Sequence, residues 1–160
     1  MENSSVPGSN PQAPPRILSL DLGSRTIGLA VTDELGVTAQ GLPTYRRSNK
    51  RNDLDHLRRV IRQYGVRELL LGLPLRMSGI EGVQAEKVHA FAEELRRKFK
   101  LPVHLFDERL TSVEANRLLR ETEMSIRRRA EVVDQLAAVL ILQSFLQFRR
   151  SSLTDPSPDE

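Results

Sequence analysis

Short apolar runs alternate with turn residues along the chain, and their spacing separates predicted strands from predicted helices. Five runs of four to eight residues predict β-strands, at 16–21, 27–32, 37–44, 66–71 and 103–106. Short connectors join the first three runs, and this arrangement is typical of an antiparallel meander.

Helical periodicity marks the segments between the later strands. Helices are predicted at 53–64, 83–99 and 130–148, and a capping box that begins at Thr111 predicts another helix up to about 119. A basic loop is expected at 126–129. The order β-β-β-α-β-α-β-α-α indicates an α/β fold in which helices pack against a mixed sheet.

Two polar tails are expected to flank a single domain at residues 16–150. Residues 1–15 and 151–160 have too few large apolar side chains to order themselves, so both are predicted to be disordered. The start of the chain lacks the features of a secretory signal, and no apolar run predicts a membrane span. The chain has no cysteine, which fits a reducing compartment, so a cytoplasmic location without membrane association is expected.

The charge of the chain favours an anionic partner. The formal net charge is +3, but the tails contain four acids and no Lys or Arg, so residues 16–150 carry +7. Twenty of the 24 basic residues are Arg, whose planar guanidinium suits bidentate contacts with phosphate. This bias points to nucleic acid, although a general compositional preference for Arg explains it equally well.

Three acids occupy positions where a carboxylate is costly. Asp21 ends an apolar strand, Glu108 follows another, and Asp134 lies in the middle of the apolar face of the last helix. Each has a structural alternative, because Asp21 could accept from turn amides, Glu108 could pair with Arg109, and Asp134 could form an inward salt bridge. Together they predict a site for a hard divalent cation and phosphodiester hydrolysis.

Four segments in sequence order carry a family resemblance. They are ILSLDLGSRTIGLAVTD, LLLGLPLRMSGIEGVQAEKVHAFAEEL, LPVHLFDERLTSVEA and VVDQLAAVLILQSFL. The chain resembles the YqgF (RuvX-like) family, which is described as Holliday junction resolvases and as nucleases that mature pre-16S rRNA. The resemblance implies a ribonuclease H-like, five-stranded mixed sheet with strands one to three antiparallel and the last two parallel. It also implies catalytic, metal-binding carboxylates at Asp21, Glu108 and Asp134, with Mg²⁺ or Mn²⁺ as the ion.

Three further residues are candidates for substrate binding. Arg76 lies in a glycine-containing loop after the fourth strand, and Arg109 and Thr111 follow Glu108. An ordinary connecting loop and a helix cap are the structural alternatives for Arg76 and Thr111. The role of Asp107 stays open, since its side chain would point away from that of Glu108 in a strand. Basic residues between 45 and 67 and at 127–129 form candidate phosphate-binding patches or solvated faces.

The leading functional hypothesis is a metal-dependent nuclease acting on structured nucleic acid, with the 5′ end of pre-16S rRNA preferred as substrate. Resolution of branched DNA as a Holliday junction resolvase is the first alternative, and non-catalytic RNA binding is the second. The protein is expected to be a monomer or a homodimer, and resolution of a junction would favour the two-fold dimer. A kinase or actin-like ATPase would need two such domains, which exceeds the length of this chain.

Overall fold

The computed structural model describes residues 13–74, 82–111 and 126–154. The strands in these ranges are β1 Arg16–Leu22, β2 Thr26–Thr32, β3 Ala39–Arg46, β4 Val66–Leu73 and β5 Val103–Asp107. The helices are α1 Lys50–Tyr64, α2 Val83–Phe99 and α3 Ile126–Thr154. The strands form one sheet in the order β3-β2-β1-β4-β5. The pairs β1–β2 and β2–β3 are antiparallel, whereas the pairs β1–β4 and β4–β5 are parallel, so the predicted mixed α/β sheet is confirmed.

Each face of the sheet carries its own hydrophobic core. Helices α1 and α2 pack on one face, and α3 packs on the other. The alternation of side chains along β1 divides its residues between the two cores, because Ile17 contacts the α3 side while Leu18 and Leu20 contact the α1 and α2 side. Asp21 follows Leu20, so its side chain faces the α3 layer.

Helix α3 is long and apolar. Its segment Val132–Leu153 is sufficient in length and composition to cross a membrane. One face of this helix, however, packs against the sheet through Ala137, Ile141 and Phe145. The buried face makes α3 a core element of the domain, since a helix in a hydrophobic core meets the same criteria of length and apolarity.

Two element starts differ from the sequence prediction because of side-chain hydrogen bonds. Helix α1 begins at Lys50 rather than 53, since the side chain of Asn49 accepts a hydrogen bond from the Asn52 amide at 2.9 Å. Strand β3 begins at Ala39 rather than 37, since Oδ1 of Asp33 accepts from the amides of residues 37 and 38 at 2.7 and 3.0 Å. Both interactions depend on side-chain orientation, which apolar spacing does not report.

The predictions for the last helix were wrong at both ends. Residues 126–129, expected to form a loop, are helical, and α3 continues to Thr154, four residues into the predicted disordered tail. The reason is that no Gly or Pro interrupts 126–154, and Pro156 is the first helix breaker after it. Phe148, near the carboxyl end of α3, is 56% exposed. Most of the helix predicted after Thr111 lies outside the described residues, as do 1–12.

An ion-pair cluster joins β4, β5 and α3 near the amino ends of the parallel strands. The guanidinium of Arg149 donates to both carboxylate oxygens of Glu68 at 3.0 Å, and Nε2 of His104 lies 3.3 Å from Oε1. Burial alone would raise the pKa of Glu68, but the hydrogen bonds and positive charge of Arg149 outweigh it, so the pKa is lowered. The cluster therefore stabilises the fold through the ionised form of Glu68.

Replacing Glu68 with Gln is expected to lower the free energy of unfolding by about 1–2 kcal/mol at neutral pH, because it removes a charge-assisted pair. The folded-state pKa of Glu68 is below the unfolded value, so its contribution is complete above about pH 4.3 and is lost as the pH falls through the folded value. Urea unfolding of the native protein and of Glu68→Gln, between about pH 7 and pH 3, measures the difference in stability between them. A stability difference that stays constant into acid would contradict it.

Candidate active site

Asp21 lies on the central strand of the sheet, near its carboxyl end, and is 8% exposed. Its partner on β2 is Gly28. On the other side, Leu20 pairs with Leu71 of β4, so the next residue, Gly72, lies beside Asp21. Glycines thus flank Asp21 on both neighbouring strands, and they leave open the space that side chains would otherwise fill.

The glycine on β2 allows α3 to approach the sheet at Asp134. A Cβ atom added to Gly28 would lie 2.0 Å from the carbonyl oxygen of Asp134. The hydroxyl of Thr26, two residues before Gly28, donates a hydrogen bond to Oδ2 of Asp134. The β2 strand therefore fixes both the backbone and the carboxylate of Asp134 in the layer that Asp21 faces.

The glycine on β4 makes room for Glu108. This residue begins a 3₁₀ turn, Glu108–Leu110, directly after β5. A Cβ atom at Gly72 would lie 2.9 Å from Oε1 of Glu108 and 2.6 Å from Cδ1 of Ile141 on α3. The carboxylate of Glu108 therefore reaches over β4 into the layer between the sheet and α3.

Thr111 closes the turn that carries Glu108. Its amide and its hydroxyl donate to the Glu108 carbonyl oxygen at 3.0 and 2.7 Å. The predicted substrate contact of Thr111 stays a prediction, and the helix that it was expected to cap lies outside the described residues. Its observed hydrogen bonds give Thr111 a positioning role for the backbone of Glu108.

Asp107 and Arg109 form a pair of their own. The guanidinium of Arg109 donates to Oδ2 of Asp107 from Nε and Nη2 at 3.0 and 2.7 Å, and its amide donates to Oδ1 at 2.9 Å. Hydrogen bonding from Arg109 holds the pKa of Asp107 below its usual value, although burial opposes it. Arg109, which was a possible partner of Glu108, thus pairs with Asp107. The two neighbouring acids therefore have different surroundings.

The structure places Asp21, Glu108 and Asp134 in one layer, between the sheet and α3. Among the described residues, the side-chain partner of Asp134 is the Thr26 hydroxyl rather than the inward Arg considered as an alternative. No group of three or more His, Asp or Glu side chains in the described ranges is close enough to hold a metal ion. Arg76 lies outside those ranges, so its predicted contact with substrate stays a prediction.

A cationic cavity of about 410 Å³ lies next to this site, beyond the end of β1. We name it the basic pocket and define it by its cationic lining residues, Arg25, Arg46, Arg47, Lys50 and Lys87. The residues that follow Asp21, Leu22 and Gly23, also line it. The sequence indicated the basic residues of 45–67 but not the pocket, because the pocket forms between four separate elements.

An inward acid anchors one wall of the basic pocket. Asp53 of α1 is 1% exposed and accepts from Nε of Arg47 at 3.0 Å and from the Ser48 amide at 3.1 Å. Arg47 also donates from Nη1 to the carbonyl oxygen of Gly23 at 2.8 Å. The sequence carried a signal for this residue, since Asp53 shares one helical face with buried Leu57 and Val60.

Comparisons with known proteins agree with this architecture. A family model described as "RuvX: Holliday junction resolvase" matches residues 15–148. A relative from Koribacter versatilis is 59% identical over 141 residues, which cover 88% of this chain and 92% of the relative. Another, from Moorella thermoacetica, is 55% identical over 131 residues, which cover 82% and 94%. Both have the name "Putative pre-16S rRNA nuclease".

A solved structure shows the same fold at low sequence identity. The structure described as "T. thermophilus RuvC in complex with Holliday junction substrate" has a TM-score of 0.53 and 14% identity, over 87% of this chain and 98% of that one. The likeness confirms the ribonuclease H-like fold that the resemblance implied. Because the family model covers residues 15–148 and these relatives share more than half of their aligned residues, the chain belongs to the RuvX family of nucleases.

Proposed function

We propose that this nuclease depends on a divalent metal ion and processes the 5′ end of pre-16S rRNA in the cytoplasm. The observation that carries the catalytic part is the pair of glycines flanking Asp21, which admit Asp134 on one side and Glu108 on the other. The name of the two relatives supports RNA as the substrate.

The donor chemistry of the site fits Mg²⁺ or Mn²⁺. Asp21, Glu108 and Asp134 would supply carboxylate oxygens, which hard divalent cations prefer. When bound, such an ion supplies Lewis-acid stabilisation of the negative charge that develops on phosphate oxygens. The metal proposal rests on this donor set and on the shared layer of the three acids.

The other side chains of the site position these carboxylates. Thr26 orients Asp134 by donating a hydrogen bond to Oδ2 of its carboxylate. Thr111 holds the backbone of Glu108, and Asp107 engages Arg109 next to it. The net charge of +7 over residues 16–150 draws a polyanionic strand toward the acids, which would otherwise repel it.

Resolution of Holliday junctions is the second candidate function. The description of the family model favours it. A junction has two-fold symmetry, so its symmetric cleavage would use a homodimer, whereas trimming of RNA requires one protomer. A third reading, RNA binding without cleavage, would leave the three acids without a chemical role.

Cleavage of two labelled substrates tests the proposal: a 5′-extended pre-16S RNA mimic and a four-way DNA junction. Each is incubated with Mg²⁺, Mn²⁺ or EDTA, using the native protein, Asp21→Asn and the control Glu93→Gln, whose side chain is 67% exposed on α2. We expect metal-dependent cleavage of the RNA that is lost in Asp21→Asn and retained in Glu93→Gln. Symmetric cleavage of the junction alone would favour resolution instead. Binding without cleavage of either substrate would contradict a nuclease active on its own.

A further inference from the structure

The basic pocket lies on the opposite face of the sheet from Asp21. Asp21 faces α3, whereas the next residue, Leu22, packs with the core on the α1 and α2 side. The pocket lies among the end of β1, the end of β3 and the first turns of α1 and α2. A nucleic-acid strand bound at Asp21 would therefore have to pass around the carboxyl end of β1 to reach the pocket.

Among the described residues, the charge of the pocket is only partly neutralised. Asp53 is the one acid among the described residues that line it, and its two carboxylate oxygens accept hydrogen bonds from Arg47 and Ser48. Lys50 pairs with Glu94 of α2. Within the part of the chain that the structure describes, Arg25, Arg46 and Lys87 have no carboxylate partner.

The wall behind these cations is held in place by hydrogen bonds. Arg47 fastens the β1–β2 turn through the carbonyl oxygen of Gly23, and its amide donates to the carbonyl oxygen of Arg25 at 2.8 Å. Gln84 at the start of α2 donates to the carbonyl oxygen of Leu22 at 3.3 Å. The cations thus converge on a preformed cavity, which is what recognition of a compact anion requires.

We propose that the basic pocket binds a phosphate group of the nucleic-acid substrate. This phosphate would lie next to the cleavage site, at the carboxyl end of β1 and on the opposite face of the sheet. This inference rests on the proposed function for its choice of ligand. None of the described residues that line the pocket is aromatic, so these residues offer no stacking surface for a base. The pocket therefore positions the strand without reading its sequence.

Binding without cleavage tests this inference. The affinity of a short labelled single-stranded RNA is measured by fluorescence anisotropy in EDTA, over a range of KCl concentrations. The variants are Arg46→Gln and Lys87→Gln in the pocket. The control Arg97→Gln removes the same charge from an exposed residue in the last turn of α2. Thermal unfolding shows whether each variant is folded.

We expect each pocket variant to weaken binding about threefold to tenfold and to reduce the slope of log affinity against log salt by about 0.7, as loss of one phosphate contact on a single strand does. The loss should be equal for RNAs of different sequence. The control should retain the native slope. Equal losses in all three variants would overturn the inference, because they would reflect overall charge rather than a site.

Two sources of phosphate are distinguished by using the RNA with and without a 5′-monophosphate. If the native protein binds both RNAs with equal affinity, the pocket binds an internal phosphodiester. If it binds the phosphorylated RNA more tightly and Lys87→Gln abolishes this difference, the pocket binds the terminal phosphate. Failure of the cleavage experiment would leave these affinities unchanged. The function and the pocket can therefore fail separately.

Discussion

Replacing Gly28 with Ala is expected to lower the free energy of unfolding by about 3 kcal/mol. The added Cβ would lie 2.0 Å from the carbonyl oxygen of Asp134, and backbone cannot move aside as the end of a flexible side chain can. Either α3 moves away from the sheet, or β2 is distorted. Both outcomes displace Asp134 from the layer that Asp21 faces, so cleavage should be lost together with stability.

Gly65→Ala is the matched control for this substitution. Gly65 has φ +63°, but nothing lies within 4 Å of a Cβ added there. Its substitution should cost only the strain of the left-handed conformation, about 1–2 kcal/mol. Denaturant unfolding of both variants, with cleavage measured where the protein is folded, compares a steric effect with a purely conformational one. Equal destabilisation of the two variants would show that α3 does not depend on close contact at Gly28.

Replacing Glu108 with Gln is expected to reduce the cleavage rate more than about a hundredfold. Loss of a group that only supports a metal ligand costs roughly 10–100-fold, so loss of the charge on Glu108, which we propose as a direct ligand, should cost more. The amide is nearly the same size and retains the approach over Gly72, so the fold should remain stable. The rate at saturating metal, together with the metal concentration for half-maximal activity, measures the effect.

Asp107→Asn is the control for Glu108→Gln, because it removes a negative charge one residue away. The carboxylate of Asp107 pairs with Arg109, and exposed ion pairs contribute roughly 0–1 kcal/mol to stability. Cleavage should therefore stay within about tenfold of the native rate. If Asp107→Asn lost activity and Glu108→Gln kept it, the assignment of the two acids would be reversed.

The parts of the fold that depend on apolar spacing were predictable from the sequence. Helix α2 begins and ends at the predicted residues, and the five strands occur in the predicted order, because burial of one face imposes a period that the sequence records. Boundaries set by a polar side chain were missed. Asn49 and Asp33 determine where α1 and β3 begin, and each does so through a hydrogen bond that periodicity does not register.

The candidate site was predictable only in part. The unusual placement of Asp21 and Asp134 was visible because an acid on an apolar strand or helix face is costly to bury. The contributions of Gly28 and Gly72 were not visible in the sequence. A strand glycine that another element approaches closely is recognised only in the packed structure. The basic pocket was missed for the same reason, because its cations come from turns and helix starts far apart in the sequence.

The contact between β2 and α3 makes the candidate site depend on segments that lie far apart in the sequence. Asp21 belongs to β1 and Asp134 belongs to α3, so synthesis of β1 precedes synthesis of α3 by more than 100 residues. Until α3 has emerged and covered its face of the sheet, the nascent chain lacks one of the three carboxylates and exposes apolar side chains such as Ile17 and Leu70. A nascent chain that ends before α3 thus has no complete set of the three acids, so the proposed cleavage would begin only after α3 has folded onto the sheet.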